Sequence, residues 1–177
     1  MSNGVWQALR ARATLVSLYV AGFASCIVGG HLFMVAYDPG SVGGFYLFPF
    51  TLIAPAELLG FLPAVMGKRC MRRRPGAAWR LPISAWGYVL VLVVVTLGLE
   101  RRNLQEPMLL SVVLIFIRQP LMLLLSWGVL ADIENIVQLV MLLGVALGFM
   151  LPLLVVLFVA CRSAERAGGP APLSRQT

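Results

Sequence analysis

Five long apolar segments constrain the fold of this chain more than any other feature of its sequence. They cover residues 13–37, 45–66, 83–99, 108–130 and 136–161. All but the third have the roughly 20 residues that a helix needs to cross a hydrocarbon core about 30 Å thick, and the third is at the short limit. Because the mean hydropathy is +0.91 and only 12 % of the residues are charged, this surface can be buried only in lipid or against membrane helices. The sequence predicts an all-α integral membrane protein.

The basic residues are distributed unevenly among the connections between these segments. Residues 67–82 contain six Lys and Arg, whereas 38–44 and 131–135 contain none. Residues 100–107 contain two, balanced by Glu100 and Glu106. Cytoplasmic loops of membrane proteins are enriched in Lys and Arg. With four crossings and both termini in the cytoplasm, 11 basic residues lie inside and two outside, against eight and five for five crossings. The charges favour four crossings.

Arg118, Gln119 and Pro120 interrupt the fourth apolar segment near its middle. The ten residues 108–117 form only about 15 Å of helix, half of a bilayer, and proline breaks the helical hydrogen-bond pattern. We therefore expect four transmembrane helices plus one hinged re-entrant or interfacial helical segment at 108–130. Five crossings are the alternative, because the apolar residues of this segment outweigh one central arginine.

This topology divides the chain into three parts. They are a cytoplasmic N-terminus at 1–12, a transmembrane helical bundle at 13–161 and a flexible cytoplasmic tail at 162–177. We interpret the first apolar segment as an uncleaved signal anchor, because it continues to Tyr37, well past the length of a cleavable core. The expected location is a plasma membrane or a bacterial inner membrane.

Glu57 and Arg118 are oppositely charged residues that this topology places deep in the hydrocarbon. A carboxylate at such a depth either takes up a proton or finds a partner. We expect a buried Glu57–Arg118 pair that fixes the hinged segment to the bundle. The alternative is an ion or proton site in which Glu57 titrates.

His31 is the single histidine and lies in the outer half of the first segment. Histidine and methionine are axial ligands of some cytochromes, but Met34 is too close along the same helix to reach the opposite face of a porphyrin. A haem would need a second ligand from elsewhere. The sequence therefore favours a hydrogen-bonded structural histidine over haem ligation, and no cofactor is predicted.

Small residues recur at a spacing of four in the first and last segments. Such faces allow membrane helices to approach closely. The predicted packing residues are Gly22, Cys26, Gly29, Gly30, Gly144 and Gly148.

The basic cluster K-R-C-M-R-R-R-P at residues 68–75 is predicted to anchor the chain at the cytoplasmic surface. Its charges would contact anionic lipid headgroups, with a contribution of about 1 kcal/mol for each charge. The predicted headgroup contacts are Lys68, Arg69, Arg72, Arg73 and Arg74. Because the net charge of +7 comes from arginines at the ends of apolar runs, nucleic acid is not an expected partner.

The three cysteines have no spacing that identifies a site. Cys26, Cys70 and Cys161 form no C-x-x-C motif, so neither a disulfide framework nor a zinc site is predicted. Cys70 and Cys161 lie next to the membrane, where cysteines of eukaryotic proteins can be acylated.

The sequence lacks the motifs of the common catalytic sites. It has no phosphate-binding glycine-rich loop, no H-E-x-x-H and no G-x-S-x-G. We therefore expect a protein that is not an enzyme. The leading hypothesis is a non-catalytic subunit that stabilises or organises a larger membrane complex, with other integral membrane proteins or its own copies as partners. The alternative is a small oligomeric transporter or channel component that uses Glu57 and Arg118.

Overall fold

The computed structural model describes residues 3–37, 52–73, 78–103, 109 and 136–167. Four helices make up these ranges: α1 at Asn3–Tyr37, α2 at Ile53–Arg73, α3 at Arg80–Asn103 and α4 at Ile136–Ala167. No strand occurs in these ranges. This confirms the all-α prediction for the part of the chain that is described.

Three of these helices are long and apolar enough to cross a membrane. Their spans are Gly4–Tyr37, Arg80–Arg102 and Val140–Ala164. The third apolar segment is therefore longer than its 17 apolar residues suggested, because α3 continues for 24 residues into charged sequence. α2 has 21 residues but ends in a basic turn. The hinged segment 108–130 lies outside the described residues apart from Leu109.

α1 and α2 run antiparallel and approach each other closely. A Cβ atom added to Gly22 of α1 would lie 2.9 Å from Pro63 Cγ of α2. One turn earlier on α1, Leu18 packs against Gly67, which lies one turn later on α2. The order of these contacts along the two helices is opposite, which fixes their relative direction.

α3 runs parallel to α1. The Thr14 hydroxyl donates a hydrogen bond to the carbonyl oxygen of Ala78, just before α3 begins, at 3.1 Å. Farther along both helices, His31 reaches Glu100 near the end of α3. α1 is the central helix, because 61 % of its apolar span is buried, against 28 % in α3 and in α4.

α4 returns to the end of the bundle where α1 and α3 begin. Cys161 of α4 is joined by a disulfide to Cys70, near the end of α2. A groove between α3 and α4 also brings Ser163 beside Trp79 and Arg80. We call this end of the bundle the basic end. Its described basic residues are Arg10, Arg12, Lys68, Arg69, Arg72, Arg73, Arg80, Arg162 and Arg166.

Candidate functional site

His31 of α1 and Glu100 of α3 meet inside the bundle. His31 Nε2 and Glu100 Oε1 are 2.5 Å apart, and both side chains are completely buried. The backbone amide of Leu109 donates a second hydrogen bond to the same Oε1 atom, at 2.8 Å. The His31–Glu100 pair is thus a polar centre that joins two helices, and a residue beyond α3 closes over it.

Helical periodicity places both side chains at this position. The buried positions of α3 recur every three or four residues: Leu81, Ala85, Val89, Leu92, Thr96 and Glu100. Glu100 is the last member of this stripe, although Arg101 and Arg102 directly after it are exposed. On α1, His31 lies between the buried residues Val28 and Val35. The same spacing that buries valine and leucine therefore buries a carboxylate and an imidazole.

The surroundings of the pair are largely apolar. Val28, Leu92 and Leu109 form a buried cluster beside the pair, with Tyr88 and Phe149 packed against it. The nearby hydroxyl of Thr96 donates to the carbonyl of its own helix at Leu92, at 2.7 Å. Glu100 Oε2 accepts no hydrogen bond from the described residues. In such a medium an isolated charge is costly, so the two side chains depend on each other.

This arrangement can hold one proton between two groups. The pair is electrically neutral overall as imidazolium with carboxylate, and equally as neutral imidazole with carboxylic acid. Moving the proton across the short contact changes neither the net charge nor the burial of the pair. Ionisable groups inside membrane proteins mark proton and ion pathways as well as structural contacts.

Glu100 was missed as a site residue by the sequence analysis. Its position in the charged stretch 100–107 assigned it to a connection between helices. The signal that identifies it is its spacing of four from Thr96, which continues the buried stripe of α3 by one turn. The charged composition of this stretch does not show that Glu100 is buried while Arg101 and Arg102 are exposed.

Glu57 lies on α2, half-buried, within electrostatic range of Tyr19 on α1. The ring of Tyr19 packs against Phe61, with 5.0 Å between ring centroids. Arg118 lies outside the described residues. The Glu57–Arg118 pair therefore stays a prediction.

The contact with Glu100 also bears on haem ligation by His31. Nε2 is one of the two ring nitrogens that can bind a haem iron, and here it is engaged by Glu100. Among the residues that the structure describes, no three His, Cys, Asp or Glu side chains converge as metal ligands.

The predicted packing residues of α1 are used inside the bundle. Gly22 faces α2, and a Cβ atom on Gly29 would collide with the ring of Phe149 from α4. The thiol of Cys26 donates to the carbonyl oxygen of Ala146 on α4, at 3.6 Å. Gly30 is buried as well.

Gly144 and Gly148 of α4 point out of the bundle instead. A Cβ atom added to either would meet no described atom within 4 Å. They lie on an exposed apolar face, which we call the outer face of α4. Its members are Met141, Gly144, Gly148, Leu151 and Val155.

The basic cluster is exposed at the end of α2. Lys68, Arg69, Arg72 and Arg73 all have exposed side chains, and Arg74 lies outside the described residues. Their contact with lipid headgroups stays a prediction.

The disulfide between Cys70 and Cys161 corrects the sequence analysis, which predicted no disulfide and regarded both cysteines as candidates for acylation. Their separation of 91 residues gives no sign of pairing. They meet because α2 and α4 end side by side, with 6.1 Å between the two Cα atoms. Cys26 is the free cysteine of the described residues and is buried.

Comparisons of the chain with models of known protein families, with curated proteins and with solved structures found no match.

Proposed function

We propose that the chain is a non-catalytic integral membrane subunit that binds another membrane protein through the outer face of α4. The observation that carries this proposal is the open space above Gly144 and Gly148. Glycine inside a helix costs about 1 kcal/mol relative to alanine. Closely spaced small residues repay that cost where a second helix packs against them. Gly22 and Gly29 of α1 meet such neighbours within the bundle, whereas Gly144 and Gly148 of α4 meet none among the described residues.

The proposed topology has four crossings, a re-entrant or interfacial segment at 108–130, and both termini in the cytoplasm of a plasma membrane or bacterial inner membrane. The antiparallel packing of α3 and α4 supports it. A fifth crossing between these helices would make them parallel. The many arginines at the basic end support a cytoplasmic location for that end.

The proposal is tested by affinity purification of the tagged chain in mild detergent. We expect the wild-type chain to elute with another integral membrane protein, or with a second copy, in a fixed ratio. Gly144→Leu/Gly148→Leu should release this partner, because two leucines prevent close approach of its helix. The matched control is Gly87→Leu/Gly98→Leu on α3, where added side chains also meet no described atom. A wild-type chain that elutes alone as a monomer would contradict the proposal.

A second candidate function is a small oligomeric transporter or channel component. The His31–Glu100 pair favours it, because ionisable side chains buried inside membrane proteins mark proton and ion pathways. The test is proton flux into liposomes that contain the purified chain. Flux that Glu100→Gln abolishes would favour this function over the first, and the same assay with Glu57→Gln tests the Glu57–Arg118 alternative.

A further inference from the structure

Arginines from two helices converge on one cavity at the basic end. The cavity has a volume of about 400 Å³ and lies between the ends of α2 and α4. Its lining is basic and apolar: Arg69, Arg73, Arg162, Met66, Phe158 and the Cys70–Cys161 disulfide.

Helix geometry directs these side chains to the same place. Arg69 and Arg73 are four residues apart on α2 and therefore share a face. On α4, Phe158 and Arg162 have the same spacing, and the guanidinium of Arg162 lies 4.8 Å from the centre of the Phe158 ring. The disulfide holds the two helix ends together, so the three arginines are kept on the same cavity.

No described acidic side chain balances these three charges. None of the residues that line the cavity is acidic, and no described ion pair involves Arg69, Arg73 or Arg162. Guanidinium groups bind phosphate oxygens with paired hydrogen bonds, and arginine is the preferred residue for such sites. Met66 and Phe158 give the same cavity an apolar side, so its lining matches both parts of a phospholipid, the charged phosphate and the apolar acyl chains.

We infer that this cavity binds the phosphate group of an anionic membrane lipid. Arg69, Arg73 and Arg162 hold the phosphate, and the acyl chains leave past Met66 and Phe158. This site is more specific than a general attraction between the basic cluster and the membrane. Lys68 and Arg72 belong to the same cluster but do not line the cavity. The inference is independent of the proposed partner of α4.

Native mass spectrometry of the detergent-purified chain, titrated with phosphatidylglycerol, tests the inference. We expect saturable binding of one tightly held lipid. Arg69→Gln/Arg162→Gln should weaken it about tenfold or more, because it removes two of the three guanidinium groups that hold the phosphate. The control is Lys68→Gln/Arg72→Gln, which removes the same charge at the same end of the bundle and should change the affinity less than twofold. The four side chains changed in these two variants are exposed, so neither variant should impair folding. Arg73→Gln provides a second, milder variant of the cavity.

Three results would overturn the inference. One is equal loss of affinity in the two double variants, which would indicate a general charge effect. Another is equally tight binding of phosphatidylcholine, whose headgroup has no net charge. The third is displacement of the lipid by inorganic phosphate at comparable concentration, which would identify a soluble phosphate compound as the ligand.

Discussion

Cys70 of α2 and Cys161 of α4 are joined by a disulfide at the basic end of the bundle. Two general rules assign this end to opposite compartments. The arginines place it in the cytoplasm, whereas disulfides persist mainly in oxidising compartments. Whether this pair is oxidised in cells therefore indicates which compartment the basic end faces.

We expect a count of reactive thiols to reveal the disulfide. Without reduction, the denatured chain should react with one polyethylene glycol maleimide, at Cys26, and after reduction with three. A gel-shift assay on membranes quenched with acid measures both states. Cys26→Ser provides the control, because it should remove the single shift of the unreduced sample. Three shifts without reduction would show that Cys70 and Cys161 are thiols in the cell.

The orientation of the bundle predicts which positions a membrane-impermeant thiol reagent reaches. In a chain with its native cysteines replaced by serine, Tyr37→Cys should be labelled in intact cells. Ser163→Cys, at the basic end, should be labelled only after the membrane is opened. These two positions lie at opposite ends of the described bundle. Labelling of both in intact cells would rule out the proposed topology.

Removing either member of the His31–Glu100 pair should destabilise the bundle. We expect His31→Leu and Glu100→Leu each to lower the free energy of unfolding by about 3 kcal/mol, because each leaves an uncompensated buried polar group. The double variant should lose less than the sum, since two apolar side chains need no partner. Unfolding titrations with sodium dodecyl sulfate measure all three.

Thr96→Val is the matched control for this comparison. It changes a buried residue one turn away on the same stripe and removes a hydrogen bond within its own helix, so it should cost less than about 1 kcal/mol. Additive losses in the His31 and Glu100 variants would show that the two side chains do not depend on each other.

Alanine substitutions should distinguish the inward glycines from the outward ones. Gly29→Ala places a methyl group against the ring of Phe149 and should lower the free energy of unfolding by about 1–3 kcal/mol. Gly148→Ala meets open space and should be neutral or stabilise the helix by up to about 1 kcal/mol. The same titrations measure both changes. If Phe149→Leu does not restore the Gly29→Ala variant, the steric explanation is wrong.

Sequence patterns predicted the helices better than they predicted the contacts between helices. The apolar segment at 83–99 identified α3, but its end was misplaced because packing against α1 extends the helix through Glu100. Local composition describes Glu100 as part of a charged turn, and only its spacing from Thr96 shows that it is buried.

The packing glycines and the cysteines illustrate the same limit. Gly22 and Gly144 have the same small-residue spacing, yet one faces α2 and the other faces outward, because the direction depends on which helices are neighbours. Likewise, nothing in the sequence indicates that Cys70 and Cys161 pair, because they meet only when α2 and α4 lie side by side. The spacing of small residues along a helix can be read from the sequence, whereas the identity of the neighbouring helix is known only once the bundle is assembled.

The separation of 69 residues between His31 and Glu100 also orders events during synthesis. At roughly 5–20 residues per second, a ribosome produces the glutamate some 3–14 s after the histidine. During that interval His31 on the nascent α1 lacks the Glu100 side chain that it contacts in the finished bundle, and a buried polar side chain without its partner is costly in an apolar medium. The packing around His31 is therefore complete only after α3 has been synthesised and Glu100 has reached it.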